Sequence, residues 1–110
     1  MRVSAGPTQP LLDKVRSCLL SALDPQPERI VAFGSRVRGD ARPQSDLDLI
    51  VVLRTNASPA ERAVVCGRPL RGLGVALDVI VYTPEEYARY RTYPSSIVRT
   101  AEREGIVLHG

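Results

Sequence analysis

Three observations predict an α/β fold, a small mixed β-sheet with helices packed mainly on one face. Short apolar runs near Arg29–Phe33, Leu47–Leu53 and Leu77–Tyr82 have the length and branching of strands. Leu11, Leu12, Val15, Cys18, Leu19, Ala22 and Leu23 recur with helical spacing before the first run. Two proline-bearing capping signals, Ser58-Pro59-Ala60-Glu61 and Thr83-Pro84-Glu85-Glu86, follow the later strands. Strands alternating with helices in this way make a layered α/β domain.

The elements can be taken in order. Residues 1–10 hold Gly6, Pro7 and Pro10 and read as a loose tail, leaving 11–110 as a single domain. A helix spans Leu11 to Leu23 until Asp24-Pro25-Gln26-Pro27 breaks it. After the first strand, Ser35 to Gly39 reads as a short helical turn and Arg42-Pro43-Gln44-Ser45 as a loop. A helix from Pro59 to about Cys66 meets Gly67 and Pro69, and a restart at Leu70 to Leu73 stays open. Helices from Pro84 to Arg91 and from Ser96 to Glu104 follow, then a fourth strand at Ile106-Val107-Leu108.

Composition bounds the function. A chain of 110 residues, 44% hydrophobic and 25% charged, is that of one soluble globular domain. It carries no signal-peptide pattern and no long apolar run, so a cytoplasmic location away from membranes is expected. Cys18 and Cys66 lack metal-type spacing and read as reduced, buried thiols. The sole histidine, His109, lies at the C-terminal end, which argues against a Ser-His-Asp or Cys-His mechanism.

Chemistry concentrates at Gly34-Ser35 and Asp46-Leu47-Asp48. In a strand, residues i and i+2 share a face and stand about 6.6 Å apart. Asp46 and Asp48 therefore point one way while Leu47 and Leu49 point the other. Their carboxylates can converge on two divalent ions roughly 3.5–4 Å apart, the separation used for in-line displacement at phosphorus. Magnesium suits such a site because it takes oxygen ligands and accepts substrate phosphates. Asp78 lies between Leu77 and Val79, where an acid is costly unless a metal or an arginine compensates it. With the third strand beside the second, Asp78 would complete a three-carboxylate cluster. Gly34 permits close backbone approach, and the Ser35 hydroxyl can bind phosphate oxygens. Arg36 and Arg38 follow and could grip a triphosphate, whereas Arg42 reads as a solvated charge or a partner to Asp40. Arg38-Gly39-Asp40 spells an adhesion tripeptide, a coincidence in a chain with no export signal.

The segment Gly34 to Leu53, GSRVRGDARPQSDLDLIVVL, closely resembles the signature of minimal nucleotidyltransferases in the DNA polymerase beta-like superfamily. LDVIVYTPEEY and REGIVLHG resemble that family's third-acid and terminal strands, so the likeness spans about residues 28 to 110. The resemblance implies a catalytic set of Asp46, Asp48 and Asp78 holding two Mg2+ ions, with ATP as substrate bound by Gly34, Ser35, Arg36 and Arg38. It also implies a HEPN-type toxin as partner in a hetero-oligomer. The chain would act as an antitoxin that transfers AMP to a hydroxyl, such as a tyrosine, of that toxin.

Arg89, Arg91, Arg99 and Arg103 are interleaved with Tyr87, Tyr90 and Tyr93. Arginine with aromatics can contact RNA, but a net charge of only +3 makes direct nucleic-acid binding unexpected and a protein interface the better reading. Two rival functions stand beside transfer to a toxin. One is a non-catalytic antitoxin that inhibits by contact alone. The other is a nucleotidyltransferase acting on a small molecule such as an aminoglycoside, disfavoured because no acceptor domain is evident.

Overall fold

The computed structural model describes residues 8–38 and 46–110. Most of the expected tail, the loop before Asp46, and both Asp40 and Arg42 lie outside the described residues. Helix α1 (Thr8–Ala22) leads into β1 (Arg29–Phe33), the one-turn helix α2 (Ser35–Arg38) and β2 (Leu47–Val52). Helix α3 (Pro59–Gly67), β3 (Leu77–Tyr82), α4 (Pro84–Tyr90), α5 (Ile97–Glu104) and β4 (Ile106–His109) complete the order.

The described strands form one mixed sheet in the order β3-β2-β1-β4. β1 runs antiparallel to both β2 and β4, while β2 and β3 run parallel. A parallel pair needs a crossover, and α3 supplies it. Helix α1 starts before Leu11 because Pro10 falls in its first turn, where a missing N–H costs no intrahelical bond. Both signals cap their helices, but only the second closes as a full capping box. Ser58 accepts from the Glu61 N–H at 3.3 Å. Thr83 and Glu86 exchange bonds of 2.9 and 3.2 Å.

After α3 the chain does not restart as an α-helix at Leu70 to Leu73. A single 3-10 turn at Arg68–Leu70 tucks Leu70 into the core. Gly72 and Gly74, both with positive φ, then turn the chain toward β3.

Strand alternation divides the interior into two apolar layers. Ile30, Ala32, Leu47, Leu49 and Val51 face α1 and Cys66 of α3, in the larger cluster. Val31, Phe33, Ile50 and Val52 face the other way, against Tyr87 of α4 and Val98 and Ala101 of α5. The mixed sheet with its helices is the architecture expected, with one refinement: the second face also carries helices. Gly105 makes that second packing possible, because a Cβ there would meet the Ala32 carbonyl oxygen at 2.6 Å. Among the described residues no helix is long and apolar enough to cross a membrane.

Candidate active site at the ends of three strands

The register of the sheet places the acids. Phe33, the last residue of β1, stands opposite Asp48 in β2, and Asp48 stands opposite Asp78 in β3. Neighbouring strands lie about 4.8 Å apart. The row Gly34, Asp48, Asp78 therefore crosses one end of the sheet over three adjacent strands. Leu47 and Leu49 are fully buried on the opposite face. Asp48 is half-buried, while Asp46, just before β2, and Asp78 are exposed.

Gly34 fits this place for two reasons. Its φ of +90° lies in the left-handed region, which side chains disfavour. A Cβ there would also sit 2.1 Å from Asp48 Oδ2. The carboxylate thus occupies the space that any other residue would fill. The carbonyl of Gly34 accepts from the Val37 and Arg38 N–H groups at 3.1 and 3.0 Å, which closes α2 directly behind the turn. Ser35 and Arg36 are half-buried in α2. Arg38 Nη1 reaches across to Glu104 Oε1 of α5 at 3.4 Å.

The electrostatics of the row are repulsive. Burial pushes the Asp48 carboxyl above its usual range, the charges of Asp78 and Asp46 push it further, and Arg38 opposes them. Among the described residues, no three of His, Cys, Asp or Glu are drawn together as a ready-made metal cage. Asp48 and Asp78 share a face and a register, and Asp46 precedes them just before β2. Hard carboxylate oxygens around a partly desolvated, mutually repelled group are a donor set that suits magnesium and could hold it.

Beside Asp78 a cleft of about 420 Å3 opens along the outer edge of β3, walled by Val64, Arg68, Arg71, Leu77 and Val79. Sequence reasoning missed Arg68 and Arg71. Exposed arginines around a Gly/Pro-rich turn look like solvated charges, and only the tertiary fold brings them to the acids. It also missed Glu102, which accepts from Tyr87 Oη and from Arg91 Nε at 3.0 Å and pairs with Arg29 at 3.5 Å. That network binds α4 and α5 to β1 and accounts for part of the arginine and tyrosine cluster. Tyr87 is buried, and Tyr90 packs against Tyr82 and Tyr93 with ring centroids 5.4 and 5.7 Å apart.

A sequence model of the nucleotidyltransferase domain matches residues 12–108. No curated protein matches the sequence. Among solved structures, the chain is similar to a protein from Sulfolobus solfataricus described as a nucleotidyltransferase. That alignment has 24% identity and a TM-score of 0.60, and covers 89% of this chain and 76% of the other. It is also similar to a chain in a structure described as a toxin-antitoxin with AMP-PNP. There the identity is 20% and the TM-score 0.65, with 90% of this chain and 73% of the other covered. At these identities the two structures establish the shared fold.

Proposed function

Since the chain belongs to the nucleotidyltransferase domain family, we propose that it is a magnesium-dependent enzyme that moves AMP from ATP to a hydroxyl on a partner toxin of HEPN type, and so acts as an antitoxin within a hetero-oligomer. The observation that carries this reading is the crowding of Asp48 against Gly34, with Asp78 beside it in register. A backbone turn pressed against one carboxylate, with a second acid on the next strand, serves a ligand that is both phosphorylated and metal-bound. The likeness to a chain from a toxin-antitoxin structure with AMP-PNP supports both a nucleotide and a toxin partner.

In this reading Asp46, Asp48 and Asp78 would hold two magnesium ions. When bound, such ions supply charge neutralisation for the triphosphate and lower the pKa of the attacking hydroxyl. The Gly34-Ser35 turn holds the β- and γ-phosphates. Asp78, on the side away from that turn, takes the proton of the acceptor hydroxyl. The hydroxyl oxygen then forms a bond to the α-phosphorus, the bond to pyrophosphate breaks, and Arg36 and Arg38 neutralise the departing pyrophosphate. The pairing of Arg38 with Glu104 leaves both side chains partly exposed, so the guanidinium can exchange one anion for another.

The test is incubation with the partner toxin, α-labelled ATP and Mg2+. Label should appear on the partner and vanish with Asp46→Ala or Asp48→Ala. Silencing of the toxin with no label, unaffected by these substitutions, would establish the contact-only antitoxin instead. Label on an aminoglycoside in the absence of any protein partner would establish the small-molecule enzyme.

A further inference from the structure

We propose that the cleft along the edge of β3 is the acceptor site, and that Arg68 and Arg71 make it selective for an acidic, extended polypeptide segment. This rests on the transfer reading above and gives it a direction. The phosphate-holding turn lies at the end of β1, the acids lie on β2 and β3, and the cleft lies beyond β3. Donor and acceptor then approach the acids from opposite sides, which is what an in-line displacement requires.

The chemistry of the cleft identifies its occupant. β3 is an edge strand. The Leu47 N–H donates to the Ala76 carbonyl at 2.8 Å, so the backbone groups of alternate residues, Leu77 and Val79 among them, face away from β2. Further along, the same outward edge is covered, because Arg62 Nη1 donates to the Val81 carbonyl at 3.5 Å. The open stretch is therefore confined to the part nearest Asp78. Such an edge pairs with an extended backbone. Val64, 52% exposed, together with Leu77 and Val79 offers an apolar wall for alternate side chains.

Arg68 and Arg71 are exposed, and among the described residues neither has an ion-pair partner. Two such guanidinium groups at the mouth of an apolar cleft complement carboxylates that flank the reactive hydroxyl. A single-stranded nucleic acid would call for aromatic platforms, and among the described residues no aromatic side chain lines the cleft.

The experiment uses short fluorescein-labelled peptides in which one tyrosine is flanked by alternating glutamate and valine, and matched peptides with lysine for glutamate. Binding to the full chain is read by anisotropy without nucleotide, and transfer is read separately with labelled ATP and Mg2+. The wild type should bind the glutamate peptide about tenfold more tightly, the sum expected of two exposed ion pairs. The double variant Arg68→Glu/Arg71→Glu should reverse that order, and in the transfer assay its effect should fall on KM more than on kcat. The double variant Lys14→Glu/Arg16→Glu, the same charge change on the exposed side of α1, should leave the preference as it is. Equal binding of both peptides, or a preference unmoved by the double variant, would overturn the proposal. So would a mixed-sequence RNA oligomer that binds through Arg68 and Arg71 where the peptides do not. Label transferred without charge preference would sink the cleft and spare the transfer reading. Charge-selective binding without any label would do the reverse.

Discussion

Two charged regions of the fold are built on opposite terms. Behind α4, Glu86 receives the Thr83 N–H at 2.9 Å and Arg62 Nη1 at 2.7 Å. Close by, Glu102 gathers Tyr87, Arg91 and Arg29. Every carboxylate there has donors from its own chain, and burial with the Glu102 bond pushes the Tyr87 hydroxyl up to about 12. At the other end, Asp48 is raised by burial and by two neighbouring acids, opposed by an Arg38 that also serves Glu104. One region is compensated within the fold. The other is charged at a cost that a bound cation would remove. The difference separates ionic groups that hold the structure together from a group that the structure must tolerate.

The sharpest way to break that contrast is Asp48→Asn. It keeps the shape and removes one repelling charge. Transfer should fall by about 10²–10³-fold, the range for losing one preorganised electrostatic group. The melting temperature measured without divalent ions should hold or rise. A clear fall in melting temperature would mean that Asp48 is compensated after all, and the two regions would be alike.

Arg62→Met makes the converse cut. Arg62 is 9% exposed and donates to Ala57, Val81 and Glu86, so its loss strips three acceptors at once. A stability loss of about 2–3 kcal/mol is expected from the urea midpoint, since one partner of a mostly buried pair is left behind. Transfer by the folded fraction should continue, because Arg62 lies away from the acids. Equal loss of transfer would place it in the site.

Gly34→Ala tests the crowding directly. The left-handed backbone alone costs about 1–2 kcal/mol for a residue with a Cβ, and the new methyl must displace Asp48 Oδ2. Transfer should fall along with stability. The double variant Gly34→Ala/Asp48→Ala should lose less stability than the sum of the single changes, because the atom being struck is gone. Strict additivity in a chemical denaturation series would mean that the two residues do not touch.

How much of this was legible follows from what kind of signal each part leaves. Strands β1 to β3 and helices α3 and α4 announced themselves by branched apolar runs and capping boxes, both local. The second helical layer did not. Its cue was that Ile30-Val31-Ala32-Phe33 is apolar at every position, the mark of a strand covered on both faces. The 3-10 turn after α3 depended on whether Leu70 could reach the core, which spacing alone does not tell. The pattern Gly-Ser and Asp-x-Asp pointed to the row at Gly34 and Asp48, since glycine and alternation are backbone constraints. Arg62 and Glu102 stayed hidden because their partners stand far along the chain, Glu86 for Arg62 and Arg91 for Glu102. Arg68 and Arg71 did so because an irregular turn, which leaves no periodic signal, brings them beside Asp78.

The smallest expected effect lies in acid, where the two regions should differ in sign. The Thr83 N–H first, and then Arg62, hold the Glu86 carboxyl below its usual range. Its contribution to stability is therefore complete above the unfolded value near about 4.3 and is lost as pH falls through the lower folded value. Asp48 is raised instead. It binds a proton more readily folded than unfolded, so its contribution to stability rises as pH falls through its raised folded value and is complete below its unfolded one. Urea midpoints followed from neutral pH into acid, without divalent ions, should show a shallower loss for Glu86→Gln than for the wild type. Asp48→Asn should show a steeper one, because the opposing gain has been removed. If the two substitutions bend the curve the same way, both carboxylates are internally paired, and the fold needs no cation to relieve the acids at the ends of β2 and β3.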